Sequence, residues 1–89
     1  MTTTDEEIER VEREVRVPKW GLTIEQVRIV NWLVKPGDHV DEGDALCEVE
    51  TEKSSADIES PEDGTVVRLV AEPGAEVAVG EPVCVLELG

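Results

Sequence analysis

From Val15 onward valine dominates the chain, and glycine and proline interrupt the apolar positions at short intervals. β-branched residues in short runs bounded by turn formers predict many short strands rather than helices. Alternation is regular on either side of residues 50–55. Ala45, Cys47 and Val49 are set to face inward on one strand and Ala56 and Ile58 on the next, while Glu48, Glu50, Asp57 and Glu59 face water. Upstream, Met1 to Glu14 is polar and strongly charged. Thr4 and Glu7 have the spacing of a capping box there, but so short a helix is marginal in isolation. Residues 1–14 are therefore expected to be a flexible acidic leader and residues 15–89 a single folded domain.

The pattern repeats. Laying Lys35–Glu50 on Glu72–Glu87, an offset of 37 residues, aligns Pro36 with Pro73, Gly37 with Gly74, Val40 with Val77, Gly43 with Gly80, Cys47 with Cys84 and Glu50 with Glu87. Those six identities in 16 columns exceed the roughly one expected from ordinary residue frequencies. The preceding segments match in character, with Trp32 opposite Leu69. Each half reads as long strand, Pro-Gly turn, short strand, Gly turn and long strand, and neither half buries its apolar face alone. The expectation is an all-β fold: a flattened β-barrel or sandwich of two four-stranded antiparallel sheets with internal pseudo-two-fold symmetry, a barrel-sandwich hybrid. The same offset sets Lys53 over Arg16 and over the position just past Gly89. The Lys53 turn is thus equivalent to the chain termini and lies at the opposite end of the domain from them.

Length and charge narrow the function. A domain of 89 residues buries only roughly 60% of its unfolded surface, which disfavours a deep catalytic cleft, so no catalytic residue and no stand-alone enzyme are expected. The formal charge is −14, and after residues 1–14 are removed 16 acidic residues still face six basic ones. Such a field repels nucleic acid and anionic membranes. It reads either as a solvated surface or as steering toward a basic partner. No apolar run approaches the roughly 20 residues that cross a bilayer, and Met1–Arg10 lacks the order of a secretory signal, so a cytoplasmic location is expected. Cys47 and Cys84 form no CxxC and have only His39 as a possible companion, which points to no metal site. They read as buried core thiols, with a disulfide across the two-fold axis as the alternative. Trp32 reads as a packing residue and His39 as a solvated turn residue.

The segment Glu50-Thr51-Glu52-Lys53-Ser54-Ser55 holds no Gly, Asn or Pro, so a type I geometry is expected in place of the usual positive-φ hairpin turn. Its tip is a lysine. A lysine on a turn is ordinarily a solvated charge, but a primary amine on a rigid, protruding hairpin also meets the requirement for covalent attachment of a group that several active sites must reach. Glu50 and Glu52 favour the ammonium form, so a separate ligase must remove the proton and supply an activated acyl group.

Val17-Pro18-Lys19-Trp20-Gly21-Leu22-Thr23-Ile24-Glu25, Trp32-Leu33-Val34-Lys35-Pro36-Gly37-Asp38, Val49-Glu50-Thr51-Glu52-Lys53-Ser54, Ile58-Glu59-Ser60-Pro61 and Asp63-Gly64 together resemble the lipoyl domains of 2-oxo acid dehydrogenase acyltransferase components. The opening is most similar to those of acetoin- or pyruvate-type complexes. The resemblance runs from Val15 to Leu88, 74 of the 89 residues. It implies a non-catalytic lipoyl-like carrier domain over 15–89, with lipoate in amide linkage on Lys53. The family tip usually reads Asp-Lys-Ala; here Glu52 and Ser54 flank the lysine, and Glu50, Thr51, Glu52 and Ser54 are the implied ligase-recognition residues. Related biotin carriers place methionine on both sides, which these neighbours do not match. The loop Lys19, Trp20, Gly21 and Leu22 is the implied partner-recognition element, although Trp20 reads equally as a partly covered aromatic.

The implied partners are a lipoate-protein ligase or lipoyl transferase, a thiamine-diphosphate dehydrogenase component, an acyltransferase core and dihydrolipoamide dehydrogenase, with the isolated domain a monomer. The chain would be the N-terminal domain of a longer acyltransferase or a separate small subunit. The competing readings are an unmodified lipoyl-like scaffold and a biotin carrier of a carboxylase.

Overall fold

A computed structural model describes residues 11–19 and 24–88. These residues form eight strands: β1 (Val11–Arg16), β2 (Gln26–Trp32), β3 (His39–Val40), β4 (Ala45–Glu50), β5 (Ser55–Glu59), β6 (Gly64–Leu69), β7 (Glu76–Ala78) and β8 (Pro82–Leu88). They build two four-stranded sheets, ordered β1-β8-β6-β3 and β5-β4-β2-β7, with every pairing antiparallel. The expected strand content and symmetry are present, and the sheets face each other as a flattened sandwich rather than closing into a barrel.

Each half lends its short strand to the other half's sheet. β3 pairs with β6 and β7 with β2, and the Pro-Gly turns continue the exchange: Gly37 N–H donates to Val66 O (2.8 Å), and Gly74 N–H to Ile29 O (2.7 Å). The four turn glycines, Gly37, Gly43, Gly74 and Gly80, have φ between 92° and 97°, a region that L side chains rarely enter. That requirement is what makes the repeat visible in sequence.

The irregularities repeat as well. Ladder register skips Leu46 between β4 and β5 and Val83 between β8 and β1; it skips Val30 between β2 and β4 and Val67 between β6 and β8. Each pair is 37 residues apart. At the first pair the bulge turns two consecutive side chains inward, so Leu46 is fully buried beside Cys47, and Val83 beside Cys84. Strict alternation put only Ala45, Cys47 and Val49 inside; the structure adds Leu46.

Two expectations are corrected. β1 starts at Val11, four residues before the expected boundary, because Val11–Glu14 pair with Val85–Leu88; their side chains are all exposed, so no apolar alternation marks the strand. Residues 1–10 of the expected leader lie outside the described residues. Secondly, the offset of 37 does not extend to β1. Val15 pairs with Cys84 as Ile58 pairs with Cys47, and Arg16 pairs with Pro82 as Glu59 pairs with Ala45, which sets the counterpart of Arg16 at Glu59, an offset of 43, and not at Lys53. The first half therefore carries six extra residues between β1 and β2.

The core is aliphatic, with Ile29, Leu46, Ile58 and Leu86 as its largest fully buried side chains. Trp32 packs on its margin, and its indole N–H donates to Ala71 O at 2.8 Å, which agrees with a packing role. His39 is exposed at the start of β3 rather than in a turn, 3.4 Å from Asp41. Cys47 and Cys84 are free, buried thiols. Burial, with smaller contributions from Cys84 and Asp57, pushes the Cys47 thiol from 9.0 up to about 12, and burial pushes Cys84 to about 11.

Both thiols are kept protonated by folding, so their contribution to stability is complete below pH 9 and is lost as pH rises through about 11 for Cys84 and about 12 for Cys47, an interval in which the unfolded chain releases protons that the folded chain retains. Stability measured by urea denaturation should fall across that interval. A Cys47→Ala/Cys84→Ala variant should show a shallower decline, and an unchanged slope would contradict the burial of the thiols.

Candidate functional site

The β4–β5 hairpin is built from the outside in. Cys47, Glu48, Val49 and Glu50 pair with Ile58, Asp57, Ala56 and Ser55, and Val49 and Ile58 sink into the core while Glu48, Glu50 and Asp57 stay in water. A hairpin with one apolar face in the core has its register fixed, so the tip cannot slide. Thr51, Glu52, Lys53 and Ser54 close it. None of them has a positive φ, as the lack of Gly and Asn requires.

Thr51 supplies the closure. Its N–H donates to Ser54 O at 2.7 Å and its hydroxyl donates to the same oxygen at 2.9 Å. The hydroxyl oxygen in turn accepts the N–H groups of Ser54 (3.0 Å) and Lys53 (3.1 Å). Lys53 is exposed, and no carboxylate among the described residues lies within ion-pair distance of it. The nearby acids are thus exposed neighbours, not clamps.

The tip and the ends of the described segment, Val11 and Leu88, occupy opposite poles. β5 carries the chain about 14 Å away from the turn, at roughly 3.4 Å per residue. Residues 60–63 then lead to Gly64, where an added Cβ would lie 2.7 Å from Glu87 O. Buried Ser60 anchors this bend, accepting Gly43 N–H (2.8 Å) and donating its own N–H to Asp44 O (2.8 Å), and Arg13 of β1 forms an ion pair with Glu62. Val11 and Leu88, paired with one another, therefore sit at the pole away from Lys53. Glu50 and Glu87, 37 residues apart, relate the Lys53 turn to the C-terminal end of the described chain.

Beside the tip runs a shallow cleft between Glu50–Glu52 and the start of β2, with Ile24 and Glu25 on its far wall and the Arg28–Glu76 pair (3.8 Å) at its side. Its wall belongs to the connection that carries the six extra residues. Four carboxylates, Glu25, Glu50, Glu52 and Glu76, face it. Such a rim suits recognition by another protein better than it suits an apolar ligand.

Of the residues expected to meet a ligase, Glu50, Glu52 and Ser54 are exposed around Lys53. Thr51 is half-buried, with its hydroxyl turned into the hairpin and bonded to the turn backbone. Lys19 is exposed on the β1–β2 connection; Trp20, Gly21 and Leu22 lie outside the described residues. Ile24 and Glu25 stand in the opening motif but outside the expected site residues. The departure of β1 from the 37-residue offset is the signal that marks their segment as extra.

The family model described as Biotin-requiring enzyme, covering biotin and lipoyl attachment, matches residues 13–86. The chain is 38% identical over 73 residues to the dihydrolipoyllysine-residue acetyltransferase component of the acetoin cleaving system of Pseudomonas putida, covering 82% of this chain and 20% of that protein. It is also 38% identical over 74 residues to the lipoamide acyltransferase component of the branched-chain alpha-keto acid dehydrogenase complex of Bacillus subtilis, covering 83% of this chain and 18% of that one. It thus spans about a fifth of the length of these curated relatives. In structure it is similar to the lipoyl domain of the 2-oxoglutarate dehydrogenase complex of Azotobacter vinelandii, with a TM-score of 0.66 at 22% identity over 85% of this chain and 95% of that one. That likeness concerns the fold.

Proposed function

The chain belongs to the biotin and lipoyl attachment family, and from that premise we propose that it is a lipoyl carrier, modified on Lys53, that moves acyl groups within a 2-oxo acid or acetoin dehydrogenase complex. The observation that carries the assignment of Lys53 is its setting. Of the three lysines, Lys35 lies 3.6 Å from Asp38 beside a Pro-Gly turn, and Lys19 lies on the β1–β2 connection. Lys53 alone caps two paired strands, without a carboxylate partner among the described residues.

That setting fits a covalent group. The hairpin holds the backbone still, the lysine stem adds flexible reach, and the opposite pole is left for a tether. Attachment requires the neutral amine. On a ligase, Lys53 Nζ attacks the carbonyl of an activated lipoyl anhydride; the amide C–N bond forms, the anhydride C–O bond breaks, its phosphate-bearing half leaves, and the amine's proton passes to base or solvent. Once attached, lipoate supplies a redox-active dithiolane that can carry acyl groups. Everything else the chain contributes is presentation: a soluble, acidic, rigid body that raises the local concentration of its cargo near successive active sites.

A thiamine-diphosphate dehydrogenase component would load the carrier, an acyltransferase would unload it, and dihydrolipoamide dehydrogenase would reset it. The two relatives of equal identity are named for different acyl groups, which supports a reading in which choice of substrate resides in the partner enzymes. The relatives' names favour lipoate over biotin, as do Glu52 and Ser54 flanking the lysine where biotin carriers are expected to have methionine.

Parallel incubation with a lipoate ligase and a biotin ligase tests the proposal by intact mass. Gain of one lipoyl group, with no biotin, is expected. Biotin alone would make the chain a carboxylase carrier, and no adduct with either ligase would make it an unmodified scaffold.

A further inference from the structure

The β4–β5 loop is four residues long, Thr51–Ser54, and none of them has a positive φ. Loops of this length are most often built around a type I turn, and here a single side chain closes it. In an ordinary hairpin the N–H of Ser54 would return to the carbonyl of Thr51; here it goes to the Thr51 hydroxyl at 3.0 Å, which also takes the N–H of Lys53 at 3.1 Å. The hydroxyl's own proton is spent on Ser54 O at 2.9 Å, beside the Thr51 N–H on the same acceptor at 2.7 Å. One oxygen therefore ties down the backbone on both sides of the lysine Cα.

Resting on the carrier reading, we infer that Thr51 is the positioning residue for lipoylation. Its hydroxyl fixes the backbone of Lys53, so that the amine reaches the ligase in one approach direction. The geometry needs a group that both accepts and donates at this point. Valine has the same shape and β-branching but does neither, and would leave two backbone N–H groups to water. Serine does both. The carboxylates around the tip take no part in the closure: Glu50 and Glu52 are exposed, and neither forms a bond to the turn backbone among the described residues. Thr51 thus acts through local hydrogen bonds, not charge, and its influence should not weaken with salt.

The test compares the wild-type chain with Thr51→Val, Thr51→Ala and Thr51→Ser, using a lipoate ligase, free lipoate and ATP. Misplacement of a reacting group by about 1 Å can cost on the order of a hundredfold in rate. Thr51→Val and Thr51→Ala should accordingly lose about ten- to a hundredfold in kcat/KM. The loss should appear in kcat at saturating carrier, and Thr51→Ser should stay within about twofold of wild type. Amide exchange should quicken at Lys53 and Ser54 in the valine and alanine variants, while the thermal midpoint stays close to wild type.

Equal rates in wild type and Thr51→Val would overturn this inference and leave the carrier reading standing. So would a serine variant as slow as the valine one, or unchanged exchange at Lys53 and Ser54. Failure of the wild-type chain itself to accept lipoate would overturn the carrier reading, and this inference with it.

Discussion

Replacing Lys53 by alanine should abolish lipoylation completely and leave the fold unmoved. The side chain is exposed, makes no ion pair among the described residues and sits where no core atom depends on it, so the change belongs with surface substitutions that shift stability by less than about 0.5 kcal/mol. Lys53→Arg sharpens the result. The positive charge is kept, but a guanidinium is never deprotonated at working pH and cannot form the amide, so modification should again be absent. Circular dichroism and thermal melting follow the fold, and intact mass follows the adduct. Residual modification of Lys53→Ala would shift the site to Lys19 or Lys35, and a large fall in the melting temperature would make Lys53 a structural residue.

The second large effect lies in the core. Leu46→Ala should destabilise the domain by about 2–5 kcal/mol, the cost typical of removing a fully buried leucine side chain. Against the roughly 5–15 kcal/mol that holds a small domain folded, this is a severe loss. Urea denaturation should show the midpoint falling sharply. Val83→Ala, at the equivalent bulge in the other sheet, should cost less because fewer carbon atoms leave the interior. The folded fraction of Leu46→Ala should still accept lipoate, since the turn is specified by Thr51 and by the outer rungs of the ladder. A change below about 1 kcal/mol would mean that Leu46 is not in the interior and that the bulge does not turn it inward.

Much of this was legible because the repeat is enforced by backbone chemistry. Gly37, Gly43, Gly74 and Gly80 all occupy positive φ, so the turns are written in residues that few others can replace. Valines between them carry the strands, and the counterpart cysteines and glutamates fix the offset. Lys53 was legible for the same reason, standing between two strands of clear alternation. What escaped was whatever breaks a period. β1 begins in four exposed residues whose only reason to be extended is the partner strand β8, which no local pattern records. The bulges at Leu46 and Val83 each turn two successive side chains inward, against alternation. The six extra residues before β2 hid β1 from the 37-residue offset, and with them the wall of the cleft beside the tip. Thr51 is part of the motif, but its hydroxyl's direction follows from a three-dimensional turn that sequence spacing does not specify.

The most direct measurement is peptide mapping of the adduct formed when the wild-type chain is incubated with lipoate ligase, lipoate and ATP. The lipoyl group should be found once per chain, on the peptide spanning Glu50–Ser55, with its amide on Lys53. A chain that returns unmodified, or that carries the group on Lys19 or Lys35, contradicts the account.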